Sequence, residues 1–294
     1  MCIKPFRGRF DYIYLAITVQ AQIKAIRYFR LVIGVEMIIP RCNMTIFTCL
    51  DRFEDMMTCI YDAWASKIGH KNIRLLIEPI GNLELFCEYI HVDADEKKTA
   101  SVISSIQRKI SFEAYQMIYR CAMSQVPEKL DVIYRFLLLG FAYGGKVVQM
   151  LQHPAVIAIF ELNRKVLNEA HLFREFIRFT SMQDDVLVAH IEPKSDILTF
   201  LAPQFEDRMP SENWMIIDDN RKTAVVHPTD CEFYLTSLSE EEFQRLEVLE
   251  DKSDPFVELW KGFFETIGIK ERKNYRCQRN HMPIWYRKHA TEFQ

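Results

Sequence analysis

A chain of 294 residues, 49% hydrophobic and 26% charged, has enough apolar material for one large core or two modest ones, which excludes a disordered polyelectrolyte. The formal net charge of −3 excludes bulk charge as a source of affinity for polyanions, so its distribution must carry that question. The eight cysteines (Cys2, Cys42, Cys49, Cys59, Cys87, Cys121, Cys231 and Cys277) form no CxxC pair and no zinc-type spacing with histidine, which argues against an iron–sulfur cluster or structural zinc and for reduced thiols in a cytoplasmic protein.

Residues 1–43 differ in character from the rest of the chain. Lys4, Arg7, Arg9, Lys24, Arg27, Arg30 and Arg41 stand against Asp11 and Glu36, a balance of +5. The apolar run from Tyr12 to Val19 is too short to span a bilayer, and no small-residue cleavage site comes after it. Because Met44 opens a well-formed strand and helix, residues 1–43 are read as a non-native upstream extension.

The second region, 44–165, opens strand–helix–strand. Thr45 to Cys49 is a β-type run, and Asp51 and Glu54 have capping-box spacing. Phe53, Met56, Met57, Ile60, Tyr61 and Trp64 recur at helical intervals, Gly69 can close the helix, and Ile73 to Ile77 is a second strand. Helices come next on the faces of Val102–Ile110, Phe112–Met123 and Leu130–Phe141, then from about 155 to 179.

The third region, 166–294, is a C-terminal α+β domain with a basic terminal segment. Its period changes to two from Asp184, with strands over 186–191, 214–217, 223–226 and 233–235 and a short helix over 197–205. Asp254-Pro255 caps a last helix carrying Phe256, Leu259, Trp260, Phe263, Phe264 and Ile267. The expected fold is α+β: a helix-rich N-terminal part, then a small mostly antiparallel sheet flanked by helices.

Several constellations could carry chemistry. The run Gly140 to Lys146 nearly spells a P-loop, but Val147 replaces the hydroxyl that would hold magnesium and the preceding run is helical, so a glycine turn between helices is expected. His171, Arg174 and Arg178 lie at i, i+3 and i+7. They suit either a phosphate or acid–base site, with His171 the candidate catalytic residue, or a solvated stripe paired with Glu175. His190 and Glu192 share one side of a strand near Asp184 and Asp185, yet no second His–carboxylate cluster has recognisable spacing; ordinary polar positions are expected, with no metal and no cofactor. Charge is polarised at the end of the chain. Residues 239–254 carry −5, whereas Lys270, Arg272, Lys273, Arg276, Arg279, Arg287 and Lys288 against Glu271 and Glu292 give +5. These cations can neutralise phosphates beside Tyr275, Trp285 and Tyr286, which could stack on bases. The other reading docks the segment on the acidic stretch with Trp285 and Tyr286 buried.

The run Met44-Thr-Ile-Phe-Thr-Cys49 with Asp51, Phe53, Glu54, Met57 and Trp64 resembles the opening of a bacterial family described as DNA metabolism proteins. Further matches are Asn168 to Phe179, Ile191-Glu-Pro193, Leu201 to Arg208, Trp214 to Asp218, Arg221, and Leu259 through Met282-Pro283 to Tyr286. The resemblance covers essentially 44–294. It implies that the C-terminal part is the domain of unknown function 4130, a domain that relatives carry fused ahead of a uracil-DNA glycosylase-like domain. Stand-alone members are associated with a DNA-repair radical-SAM protein. This chain has no glycosylase module and no CxxxCxxC motif, and it carries Trp285-Tyr286 where the family favours Tyr-Trp. The expectation is a cytoplasmic DNA metabolism or repair accessory protein with no membrane contact. It would bind nucleic acid, DNA in preference to RNA, or a DNA-modifying radical-SAM partner. Arg174, Arg178, Lys270, Arg272, Lys273, Arg276, Arg279 and Arg287 would form the interface. The alternative is an enzyme acting on nucleic acid or a nucleotide with a His/Arg site.

Overall fold

β1 (Thr45–Cys49) is buried along its whole length because it is the centre of a three-stranded sheet of order β2-β1-β3. A strand flanked and covered in this way has no solvent face, so its sequence does not alternate. Both β2 (Ile73–Ile77) and β3 (Glu88–His91) run parallel to it. Parallel neighbours require crossovers, and α1 (Phe53–Ala65) supplies the first. The computed structural model describes residues 44–182, 186–249 and 255–293. The proposed upstream extension 1–43, Asp184 and Asp185, residues 250–252 of the acidic stretch and the Asp254 cap lie outside the described residues, as does the side chain of Lys270.

The expected Asp51/Glu54 capping box does not form. The residue before α1 is Arg52, with no side-chain cap, while the Asp51 carboxylate meets the Lys129 ammonium at 2.6 Å. Four further helices complete the first layer: α2 (Glu96–Lys109, capped by Asp95), α3 (Phe112–Ala122, capped by Ser111), α4 (Lys129–Tyr143) and α5 (Pro154–Phe176). Gly140 lies inside α4, and Gly144, at φ 63, ends it before a 3-10 turn, so the P-loop-like run is a glycine turn between helices.

The second sheet has the order β4-β5-β6-β7-β8, from β4 (Thr180–Met182), β5 (Val186–Ile191), β6 (Trp214–Asp218), β7 (Thr223–His227) and β8 (Tyr234–Ser237). Three of its four pairings are antiparallel, but β5 and β6 are parallel and joined through α6 (Leu198–Arg208). The chain then runs through α7 (Glu240–Leu249), α8 (Pro255–Ile267) and α9 (Tyr275–His281) to two short 3-10 turns. Among the described residues the protein is thus a mixed α/β fold with nine α-helices and two sheets. The expected arrangement needs correction in one place, because the helix-rich first part holds a three-stranded parallel sheet; the second sheet, with three antiparallel pairings and one parallel, is mostly antiparallel as expected. No helix among the described residues is long and apolar enough to cross a membrane.

Among the described residues two large buried clusters and a small third one, Val188, Ile217 and Ala224, hold these layers. Met57, Leu75, Ile106, Ile118, Ile133, Phe136 and Val156 belong to the first; Val166, Phe173, Ile191, Leu201, Trp214 and Val225 belong to the second. Burying each such side chain contributes about 1.5–3 kcal/mol. Helix α5, about 34 Å long at 1.5 Å per residue, feeds both clusters and therefore links the two sheets.

Candidate functional site

Parallel pairing brings the carboxyl ends of β5 and β6 together, with Ile191 opposite Asp218. Ligand sites of open α/β sheets form beyond such ends, where loops diverge. Here one loop, 192–197, leads to α6, and a tight turn, 219–222, leads to β7.

Both loops are fixed by side-chain anchors. The buried Asp218 accepts hydrogen bonds from the backbone N–H groups of Asn220 (3.0 Å) and Arg221 (3.2 Å), and from Arg221 Nη1 at 2.8 Å. Burial pushes the Asp218 carboxyl up, against the opposing charge of Arg221. Asn220 Nδ2 and Arg221 Nη1 both donate to the Pro193 carbonyl, at 3.0 and 3.1 Å, which staples the turn to the loop. From α5, the buried Glu169 carboxylate accepts from Lys194 N at 2.6 Å and Ser195 N at 3.1 Å.

On one side of these loops lies a charge network that reaches the first sheet. Lys129, with 4% of its side chain exposed, donates to Ser124 O at 2.6 Å and pairs with Asp51. Burial lowers its pKa, opposed by Asp51; burial likewise raises the Asp196 carboxyl, opposed by Arg221 and Lys129.

On the other side Glu192, Asp219 and His289 converge. His289 Nε2 is 3.4 Å from Glu192 Oε1 and 3.6 Å from Asp219 Oδ2. One ligating atom from each of the three residues lies within 4.8 Å of the others. His190 Nδ1 pairs with Asp219 Oδ1 at 2.7 Å, and its ring stacks on that of His289. Lys288 pairs with Glu192 Oε1. Although burial favours the neutral Glu192 carboxyl, the Lys288 hydrogen bond and charge, with His289, hold its pKa below the ordinary value. Glu192 also lines a cleft of about 580 Å³ with Ile284, Trp285, Arg287, Lys288 and Phe293.

The closing segment is docked at this edge. Tyr286 packs its ring on Phe173 at 4.8 Å and Phe176 at 6.3 Å, and burial pushes its hydroxyl up to about 12. Trp285 remains half exposed, donating its indole N–H to Glu192 O at 2.9 Å with Lys194 over its ring. Arg178 grips the buried Glu292 carboxylate through Nη2 (2.6 Å) and Nε (3.2 Å), and Trp260 donates to the same group.

The residues singled out from sequence fall into three environments. His171 is exposed and pairs with Glu175 at 3.2 Å, while Arg174 donates to Ala170 O of its own helix. Because α5 ends at Phe176, Arg178 is off the face carrying His171 and Arg174 and is spent on Glu292. Arg287 donates to Met282 O and covers the Phe293 ring. Arg272, Lys273, Arg276 and Arg279 are exposed, with no ion pair among the described residues, and Lys273 lies over the Tyr275 ring. His190 and Glu192 do meet a further His and carboxylate, but these are Asp219 and His289, which sequence reasoning did not join to them. The one available signal was their period-two spacing, and it could not name partners from a turn and the chain end.

The family model described as DUF4130, a domain of unknown function, matches residues 127–292. No curated protein matches the chain.

Proposed function

The chain belongs to the DUF4130 family, and from that premise we propose that it is a DNA metabolism or repair accessory protein that binds nucleic acid, or a nucleic-acid-bound radical-SAM partner, through its closing segment. One observation carries the reading: Arg272, Lys273, Arg276 and Arg279 are all solvent-facing beside the exposed ring of Tyr275, on a segment anchored at its far end. Anchoring lowers the ordering cost of binding, and exposed cations retain the charge that neutralises phosphates and releases their counterions. The likeness to bacterial DNA metabolism proteins favours DNA over RNA.

Fluorescence anisotropy with single- and double-stranded oligonucleotides of one sequence tests it. Four neutralised phosphates give a log–log salt slope of about −3.6 on duplex DNA, roughly a hundredfold loss of affinity between about 50 and 200 mM salt. Reversing Arg272, Arg276 and Arg279 to Glu should remove most of that slope. Binding that ignores both salt and charge reversal overturns the proposal.

An enzyme acting on nucleic acid or a nucleotide is the second reading, favoured by His289 facing two carboxylates beside a cleft. It moves the acid–base role from His171 to His289. Oligonucleotide cleavage or base release that survives Asp219→Asn and His289→Gln would sink it.

A further inference from the structure

We propose that Glu192, Asp219 and His289 form a binding site for one divalent transition-metal ion of the manganese-to-zinc series. The inference goes beyond nucleic-acid binding and does not depend on it.

The spacing of the donors is the first support. Metal–ligand bonds of about 2.1 Å place adjacent donors of a tetrahedral site about 3.4 Å apart. His289 Nε2 stands 3.4 Å from Glu192 Oε1 and 3.6 Å from Asp219 Oδ2, which matches two such edges. Both are longer than a good charge-assisted hydrogen bond. His289 Nε2 is buried and makes no hydrogen bond among the described residues, so its lone pair or proton faces the carboxylates without the geometry of a pair bonded to each other.

The surroundings supply what a metal site needs beyond its ligands. Asp219 is gripped by His190, whose side chain is only 9% exposed, at Oδ1; Oδ2 is the atom turned towards His289. A hydrogen-bonded ligand carboxylate of this kind is held in one orientation. Glu192 is fixed at its backbone by the Trp285 indole, and its loop by Glu169. Three protein ligands leave a coordination position open, and Glu192 borders the cleft. One imidazole with two carboxylates suits manganese, iron, cobalt or zinc better than calcium or magnesium, which take oxygen donors.

Lys288 gives the proposal a signed test. Its ammonium pairs with the same Glu192 oxygen that would bind the ion, so metal must displace it. Lys288→Met should therefore tighten binding, whereas a plain salt-bridge network would gain no metal affinity from the loss. Cys231 and Cys277 are exposed thiols and would bind zinc on their own, so Cys231→Ser/Cys277→Ser is the background chain. Calorimetric titration with Zn²⁺ and with Mn²⁺, and the visible absorption of added Co²⁺, should show one ion per chain. Asp219→Asn and His289→Gln should weaken binding at least about a hundredfold, and His190→Ala about ten- to a hundredfold. Lys288→Met should tighten it about tenfold, the equivalent of one charged hydrogen bond. Thermal unfolding in chelator checks that each variant is folded. Absence of binding, or affinity unchanged in Asp219→Asn and His289→Gln, overturns the site. Should either variant not fold, unchanged affinity in Lys288→Met, whose side chain is 62% exposed, overturns it instead.

Discussion

Glu169, on α5, anchors the loop beside the candidate site, and Glu169→Gln tests that anchor. Its carboxylate accepts two hydrogen bonds from consecutive backbone N–H groups, Lys194 at 2.6 Å and Ser195 at 3.1 Å, with 9% of the residue exposed. A glutamine amide offers one oxygen and one NH₂. Whichever way it turns, one backbone donor faces a donor. The loss is one charge-assisted bond, about 1.5–3 kcal/mol, with the second weakened by the missing charge. For a folded unit of this size each kcal/mol moves Tm by roughly 2–4 °C, so a fall of roughly 3–12 °C is expected. Urea titration gives the free energy, and hydrogen exchange gives its location: the Lys194 and Ser195 amides should lose protection before the rest of the sheet. Glu161→Gln, exposed on the same helix, should change stability by less than about 0.5 kcal/mol. A Glu169→Gln protein within about 0.5 kcal/mol of wild type, with both amides still protected, would refute the reasoning.

Two other contacts make predictions of opposite sign in pH. Glu292 is buried, which raises its carboxyl, but the Arg178 and Trp260 hydrogen bonds outweigh burial and its pKa is lowered. The advantage of wild type over Glu292→Gln, about 2–4 kcal/mol, should therefore hold above the ordinary Glu value of about 4.3 and fade as pH falls through the lower folded value; a pH-independent gap in urea titrations contradicts it. At the carboxyl edge of the first sheet, Glu78 accepts from Thr48 at 2.7 Å and pairs with His91 Nδ1 at 2.8 Å, and that hydrogen bond raises the His91 pKa. The contribution is fully present below about pH 6.5, the unfolded value, and is lost as pH rises through the folded one. NMR titration of the His91 ring should show a raised midpoint that returns towards the ordinary value in Glu78→Gln.

Elements with a local period were legible in sequence, and elements defined by distant partners were not. The α1 to α4 helices and strands β1, β2, β5, β6 and β7 carry apolar residues at 3.6 or two, or a continuous buried run, and lie within a few residues of where the pattern puts them. By contrast, β3 has exposed ends and half-buried centre residues, so no alternation marks it; it exists because β1 offers a second edge. Parallel pairing of β5 with β6 left no local trace either. The site shows the same division. His190 and Glu192 were paired by strand period, whereas Lys288 reaches Glu192 across 96 residues of sequence. The two aromatics of the closing segment also divide: Tyr286 is packed as a core residue, while Trp285 keeps an exposed face and uses only its N–H. One of the two readings of the segment buried both on the acidic stretch, part of which lies outside the described residues; the described contacts of the segment include Glu192, Phe173 and Arg178.

The division of labour between cations stems from the same contacts. Arg178, Arg221 and Arg287 direct their guanidinium groups at carboxylates or carbonyls of the protein, where planar multi-donor geometry matters. Arg272, Lys273, Arg276 and Arg279 lie where nothing among the described residues neutralises them. Substituting the first group should loosen the fold and leave the charge available to a polyanion nearly unchanged in character. Substituting the second should do the reverse. Within the closing segment Arg287 therefore belongs with the structural arginines, whereas Arg272, Lys273, Arg276 and Arg279 stay exposed. Docking is carried by Arg178 with Glu292 and by Tyr286 on α5, and the proposed recognition of nucleic acid rests on the cations that docking holds at the surface.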